Sequence, residues 1–570
     1  MGTTVAMAQT GADNLLLDFA RPARSPAPRA LRAGLRQWFY RNPLYRISLN
    51  GRAPDALSVE PPDPWPGDAA NGDALFQGRF RFAGHEINAP GRPVWLPVDV
   101  SDAWIEDLHG FEWLRDFKAS GGEAARRHAR ALVEDWRRQF AAWHPLAWRA
   151  DVLGRRVAAW AVAAGFLLNG AESRFRKDFL DSLARQTRHL SRVVGREVVG
   201  ARRLAAIRGL LYGVICLDQG PRRLAQAERL LVREIAAQVL GDGGHVERAP
   251  WLAHRVLADL ADLRGLFLAA NRAPPQQLIA ALDRMAPMLR GLRHGDGGLA
   301  CFNNSGEGEP WRIDAALTVS EAKGTALTNA PHTGFQRLQA RRALVLVDSG
   351  APAALTENTH AGTLSFEFSI AKERLIVNCG PHRGRGAEWE AALRSTAAHS
   401  TLCIDDTNAT EIAGTSLGRR PRDVTCTRME QDGTIWLELS HDGYLANFGL
   451  VHRRRLYLQA DGEDLRGEDN LEWTPPDAGR DRAMRPFAAR FHLHPTVRAS
   501  IVHNGKAVLL RMPGGAGWHF RASGGALALR PSVYFGDGGQ HRRTEQIVVS
   551  GVTGADGATI KWGLRRVAAK

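Results

Sequence analysis

The sequence predicts an α+β multidomain protein, a helical domain followed by a large antiparallel β-sandwich. Three observations carry the prediction. Near residue 311 the hydrophobic period drops from between three and four residues to two. Over the same span the punctuation changes from helix stops to hairpin turns. A length of 570 residues also exceeds what one hydrophobic core usually serves. With 44% hydrophobic and 24% charged residues, the composition excludes wholesale disorder, collagen and coiled-coil arrays.

Three domains are expected along the chain. Residues 1–100 form a lead-in with a Pro-rich run, PPDPWPGDAANGD, and the strand-like pieces FQGRFRFAG and PVWLPVDV, which suggest a small hairpin. Residues 101–310 hold seven amphipathic segments, from ARRHARALVEDWRRQFAAW to PPQQLIAALDRMAPMLRGL, separated by stops such as Asn169-Gly170, Gly220-Pro221 and Gly241-Asp242-Gly243-Gly244. Short connections force neighbouring helices antiparallel, which predicts stacked hairpins, either a solenoid or one closed into a toroid or incomplete barrel. Residues 311–570 alternate with period two, from ARRALVLVDSG to EQIVVSGVTGADGATIKWGL, with Asp-Gly, Asn-Gly and Gly-Gly turns at strand-length spacing.

The net charge of +15 points to a partner carrying negative charge, whether nucleic acid, a membrane surface or an acidic polysaccharide. No helix-turn-helix, zinc finger or RNA-binding aromatic signature is present, so specific nucleic-acid recognition is not expected. The longest apolar stretch, Val157 to Leu168, is too short to span a bilayer, so no membrane insertion is expected. Five widely spaced cysteines describe neither a disulfide framework nor a thiolate metal site. The first residues, MGTTVAMAQTGADNLLLDFARPAR, lack a basic start followed by a long apolar run, so no secretory signal is expected. The oligomeric state is open.

The most recognisable text is THAGTLSFEFSIAKERLIVNCG followed by RSTAAHSTLCIDDTNATEI. It resembles the C-terminal domain of the heparinase II/III family of polysaccharide lyases. There a His-x-His-Ala-Asp-like element leads into a Leu-Ser-Phe strand, then a strand ending Val-Asp-x-Gly, then an Arg-Ser-Thr-x-x-His-Asn segment. HDGYLANFGLVHRRRLYL, GEDLRGEDNL and GDGGHVERAP continue the resemblance, which covers most of the chain from about residue 100. It implies an (α/α) toroid joined to a β-sandwich, an active cleft at their junction, and cleavage of acidic polysaccharides by β-elimination. It also implies a periplasmic or envelope setting, whereas the missing leader and odd cysteines point to the cytoplasm.

Carried over residue by residue, the resemblance implies a zinc site at His360 and His399, with Asn378 where the family has an aspartate ligand. Asn358 stands where another histidine is expected, Gly362 where an aspartate is, and Ala201 where an Asn-His pair would face the cleft. Two histidines and a neutral amide hold zinc less tightly than a set with a carboxylate. Without metal, His360 and His399 read as histidines hydrogen-bonded within the sandwich.

Elimination from a uronate needs its carboxylate neutralised, a base for the C5 proton and an acid for the departing oxygen. His245 lies on a Gly-rich loop at a helix start, with Glu247 and Arg248 beside it. His245 is thus a candidate for proton transfer, and Arg248 for pairing with a substrate carboxylate. The loop is equally readable as a helix-capping turn. Tyr444 is a second acid/base candidate, with His441 beside it. RHGDGGLACFNNSGEGEP offers Asp296, Asn303 and Asn304 to line a cleft. In the run Arg453, Arg454, Arg455 alternate side chains face opposite sides of a strand, and Arg453 is a candidate for substrate binding. His109, near Trp113, is expected in helix packing or as a sugar platform. The expected function is a lyase for a uronate-containing glycan, sulfated or not. The alternative is a catalytically impaired glycan-binding protein on the same fold.

Overall fold

The computed structural model describes residues 34–567 apart from 35, 92–94, 356, 383, 385–386, 415 and 475–482. The N-terminal segment read for a leader lies outside the described residues. By its internal contacts the chain divides into two units, one of residues 1–239 and 258–282 and one of residues 240–257 and 283–570. The division differs from the three expected domains in two ways. The lead-in belongs to the helical unit, and the segment Leu240–Leu257, which carries the Gly-rich loop, belongs with the sheets.

The helical unit begins with short elements: α1 (Pro43–Ser48), α2 (Ala69–Phe76), the hairpin β1 (Arg79–Phe82) and β2 (His85–Asn88), α3 (Asp102–Gly110) and α4 (Leu114–Ser120). Of PVWLPVDV, the described part, 95–100, forms bends and no strand. Five long helices follow, α5 (Gly122–Gln139), α6 (Ala150–Leu168), α7 (Ser173–Val193), α8 (Gly200–Cys216) and α9 (Pro221–Gln238). They start and stop within four residues of the sequence periods. In α5 the buried set Ala125, Ala129, Leu132, Val133 and Trp136 is the stripe that its spacing predicts.

Helix α6 is buried almost all round, which accounts for its unbroken apolar text without any membrane. It approaches α8 closely, because a Cβ on Gly209 would stand 2.2 Å from the Gly154 carbonyl oxygen. Its charges, Asp151, Arg155 and Arg156, fall in its first two turns; buried Arg156 donates to Gln186 at 2.7 Å and to the His109 carbonyl at 3.0 Å, and stacks 4.1 Å over Trp136. His109 is itself enclosed, accepting from Trp136 at Nδ1 and donating to the Trp95 carbonyl, so it packs the unit and presents no sugar platform.

Helices α10 (Pro250–Ala269) and α11 (Gln276–Gly291) are each divided between the units, and α12 (Pro310–Val319) lies in the second. The sheets of that unit are antiparallel, two large and a smallest that pairs β9 (Ile412–Ala413) with β10 (Ser416–Leu417). One runs β11 (Val424–Gln431), β12 (Thr434–His441), β13 (Leu450–Leu458), β14 (Asp464–Trp473), β21 (Ala558–Arg566), β18 (Gly517–Ser523), β17 (Ala507–Arg511), β16 (Arg498–Val502). The other runs β19 (Ala526–Tyr534), β20 (Arg542–Val552), β15 (Pro486–Leu493), β7 (Glu373–Val377), β6 (Phe366–Ile370), β5 (Ala343–Asp348), β4 (Phe335–Ala340), β3 (Asn329–Ala330), with β8 (Leu402–Ile404) also on β15.

Their inner faces share one core, which includes Val345, Phe366, Leu437, Leu456, Trp518 and Trp562. Burial alternates strictly along β12 and nearly so along β13, the period-two pattern of a face turned to a core. Trp562 stacks on Phe366 at 5.3 Å and needs Gly467 across the sheet, where a Cβ would fall 2.1 Å from its ring. Strands β5 and β6 are buried on both faces, which explains their continuous apolar text.

Candidate functional site

The Gly-rich loop 241–248 is shaped by contact with the turn after β3. Asp242 accepts from the His332 and Thr333 amides at 2.9 and 2.7 Å and from the Thr333 hydroxyl at 2.5 Å. Gly244 has no room for a side chain, since a Cβ would meet the Thr333 hydroxyl at 1.7 Å. This loop therefore has its glycines for close approach. His245 is buried, accepts the Glu247 amide at 3.3 Å, and is pushed down to about 3 by burial.

Arg248, in the left-handed region at φ 55, spends every guanidinium nitrogen on the sheets. Nε donates to the Thr333 carbonyl at 2.6 Å, Nη1 to Ala351 at 2.8 Å, and Nη2 to Gly334 at 3.0 Å and to the Asp348 carboxylate. The group stacks 5.0 Å over Phe335. It pins the loop to β4 and β5, and Asp348 already holds the place that a substrate carboxylate would take.

Asn303 and Asn304 are consecutive left-handed residues, at φ 47 and 58, a conformation Asn tolerates. Asn303 is buried, accepts the His360 amide at 3.2 Å, and donates to the Arg248 carbonyl at 3.1 Å. Half-buried Asn304 donates to Asn358 at 2.9 Å, and Asn358 donates to Glu247 at 2.8 Å. His245, Glu247, Arg248, Asn303, Asn304, Asn358, His360 and His399 thus converge in the second unit.

His360 and His399 meet ring to ring, Nδ1 to Nε2, at 3.2 Å. His399 Nδ1 lies 2.7 Å from the Ser395 carbonyl, which can only accept, so Nδ1 carries the proton and Nε2 accepts from His360. Burial pushes His399 down to about 4, and burial with the His399 ring holds His360 well below the ordinary range. Both rings are neutral at pH 7. Gly362 lets the pair close, as a Cβ there would fall 2.6 Å from His399 Cδ2.

The set offers zinc two imidazole nitrogens 3.2 Å apart, while Asn378, the expected third ligand, is committed at both ends of its amide, accepting from the Ser400 amide at 2.9 Å and donating to Glu367 at 3.3 Å. Among the described residues no group of three or more His, Cys, Asp and Glu is arranged to hold a metal ion.

Two expected site residues lie elsewhere. Tyr444 is enclosed in the sandwich core and donates its hydroxyl to the Leu402 carbonyl at 2.9 Å, so it has no route to a substrate. Arg453 stands on the outer face of β13 and pairs with Glu438 and Glu472 at 3.0 and 3.2 Å. Two centres escaped the sequence reading. Glu367 on β6 accepts from His294 at 2.9 Å and from the Cys301 and Asn378 amides. Asp469 gathers Arg454, His452 and Trp562. The available signal was a carboxylate at an inward position of a strand, rare unless it is paired.

A helical region followed by two large antiparallel sheets is the α/α-toroid and β-sandwich class. The chain belongs to the heparinase II/III-like family: the family described as "Heparinase II/III-like, C-terminal" matches residues 322–563. It is 36% identical over 548 residues to the FtsZ-localized protein C of Caulobacter vibrioides, covering 93% of this chain and 94% of that protein. Among solved structures, heparinase III superposes with a TM-score of 0.68 at 14% identity, over 90% of this chain and 86% of that one. A heparan sulfate lyase from Pedobacter heparinus does so with 0.59 at 15% identity, over 92% and 87%. At these identities the two lyase structures speak for the fold alone.

Proposed function

We propose that this protein is a binding protein on the heparinase II/III-like fold, one that has given up elimination chemistry and associates with FtsZ polymers. One observation carries the loss of chemistry: the His360–His399 pair is turned onto itself and held neutral. A base kept far below neutral pH has little driving force for a C5 proton. Arg248, the cation of the neighbouring Gly-rich loop, is saturated by Asp348 and three carbonyls. The partner is suggested by the full-length likeness to a protein named for its localisation with FtsZ.

Co-sedimentation tests the partner. The full chain should pellet with FtsZ assembled in GTP and stay in the supernatant when FtsZ is kept unassembled in GDP. Equal recovery in both supernatants would end the FtsZ reading.

A second reading is favoured by the fold and by the half-exposed amides of Asn304 and Asn358 beside Glu247. The protein would then be a polysaccharide lyase for a uronate-containing glycan, sulfated or not. The amides would neutralise the uronate carboxylate and His360 Nε2 would take the C5 proton, passing charge to His399. Elimination leaves an unsaturated uronate that absorbs in the ultraviolet. A panel of heparin, heparan sulfate, chondroitin sulfate, hyaluronan and alginate should yield no such product on the first reading. Turnover of any one, lost in His360→Gln, would establish the second.

A further inference from the structure

A small cleft in the helical unit lies where two helices end and a third begins. Helix α8 stops at Cys216, α10 stops at Ala269, and α9 starts at Pro221. The half of α10 from Ala258 onward belongs to this unit. Both helix ends are closed by the same pair of bonds. At α8 the Asp218 amide donates to the Ile215 carbonyl at 3.3 Å and the Gln219 amide to Val214 at 3.0 Å. At α10 the Asn271 amide donates to Leu268 at 3.0 Å and the Arg272 amide to Phe267 at 2.9 Å. Asp218 and Asn271 take the left-handed conformation that such an end requires, at φ 45 and 53. The lead-in adds a wall. The Ser58 hydroxyl shares its proton between the Ile215 and Cys216 carbonyls at 3.0 and 2.9 Å, and the Ser58 amide donates to Cys216 at 2.8 Å. The backbone that carries Asp218 and Arg272 is thus fixed before anything binds.

The cleft measures about 140 Å³ and is lined by Asp218 and Arg272 together with Val59, Val214, Leu224 and Ala270. Both charged side chains are exposed, and among the described residues neither forms an ion pair. One anion and one cation therefore share a space with aliphatic side chains without neutralising each other. The helix ends offer the same two signs, because the carbonyls closing α8 and α10 favour a cation and the first amides of α9 favour an anion.

A ligand complementary to this lining carries an ammonium, a carboxylate and a short aliphatic group. We propose that the cleft binds a free aliphatic α-amino acid, with its ammonium on Asp218, its carboxylate on Arg272 and its side chain against Val59, Val214 and Leu224. The volume lies below the roughly 300–1,000 Å³ of sites for drug-sized ligands and suits one small metabolite. This goes beyond the FtsZ and lyase readings and uses none of their residues.

Calorimetric titration of the full chain with L-leucine tests it, and binding should saturate at one site per chain. N-acetyl-L-leucine lacks the ammonium charge and L-leucinamide lacks the carboxylate. Each should bind at least about tenfold more weakly, the loss of one charge-assisted contact. Asp218→Asn should bring leucine down to the level of N-acetyl-leucine and leave N-acetyl-leucine itself unchanged. Arg272→Gln should do the same for leucine against leucinamide. The melting temperature of the wild-type chain should rise with leucine concentration, and that rise should be lost in both variants. Without ligand, the circular dichroism and melting temperature of these exposed variants should match wild type; if either misfolds, the three ligands compared on the wild-type chain decide the matter. Absence of saturable binding up to millimolar leucine overturns the proposal. So does equal affinity for leucine and its two blocked derivatives, or leucine binding unchanged in both variants, which would mark an apolar cleft without charge recognition.

Discussion

Two histidine pairs in the β unit have almost the same geometry and opposite surroundings. His360 and His399 stand 5.2 Å apart at 83°, and His441 and His452 stand 5.1 Å apart at 87°. The second pair ends on a carboxylate. Gly443 donates its amide to His441 Nδ1, so His441 Nε2 carries the proton toward His452, whose Nε2 donates to Asp469 at 2.8 Å. Arg454 closes the chain, bidentate to Asp469 at 2.7 and 3.1 Å and bonded to the Leu364 and Ser400 carbonyls. The first pair ends on a backbone carbonyl, and among the described residues His360 Nε2 has no hydrogen-bond partner. A buried carboxylate makes one pair a closed structural circuit. Where Asn378 stands in place of a carboxylate, the other is a neutral pair with one spare nitrogen.

The strongest way to break that contrast is Asp469→Asn. It leaves the Arg454 charge buried without its counter-ion, and should cost about 3–5 kcal/mol in chemical denaturation. His399→Gln removes an acceptor from a neutral donor and should cost about 1–3 kcal/mol. Equal losses would mean that the carboxylate does not distinguish the pairs.

Acid separates them next. His245, His399 and His492 are pushed down to about 3, 4 and 3, chiefly by burial. Unfolded histidine takes up a proton near pH 6.5 and these folded ones do not, so their contribution is complete above 6.5 and is lost as pH falls toward 4. Between pH 6.5 and 5 each should cost about 2 kcal/mol. Asp469 is held below the usual carboxylate range, with Arg454 the largest stabilising influence against burial, so its contribution persists to pH 4 and is lost only below. Denaturation midpoints measured from pH 8 to 4 should fall beginning near 6.5. A flat profile to pH 5 would contradict the neutral assignment.

Asn378→Asp sharpens the comparison by restoring a carboxylate beside the first pair. The present amide donates to Glu367, so the new charge would face that carboxylate and should cost about 1–3 kcal/mol at pH 7. Equilibrium dialysis should find no stoichiometric zinc in wild type. Uptake by the variant would show that the missing charge, more than ring orientation, keeps metal out. Smallest of all, Arg453→Ala removes exposed pairs with Glu438 and Glu472 and should change stability by less than about 1 kcal/mol, with a salt dependence that Arg454 lacks.

Much of the fold was legible because it rests on local periods. The long helices and most strands fall where the spacing puts them, and alternation alone separates inward Arg454 from outward Arg453 and Arg455. His360, His399 and Asn358 were legible through resemblance, and Asn303 and Asn304 as polar residues of a Gly-rich loop. Their roles were not, because each depends on a partner far along the chain. Arg248 reads as a substrate clamp until Asp348, 100 residues on, takes its charge. Tyr444 reads as an acid until Leu402 takes its hydroxyl inside the core.

The sequence by itself determined the order of helices and strands, the placing of glycines in the loop at 241–244, and the neutral amide at Asn378, since these are properties of residues and their near neighbours. Only the tertiary structure decided that the loop belongs with the sheets and that two histidines face each other. It alone decided which arginines are spent on internal partners, as Arg248 and Arg454 are. Hydrogen bonds and burial are set by groups brought together from distant positions, and no local period encodes those meetings.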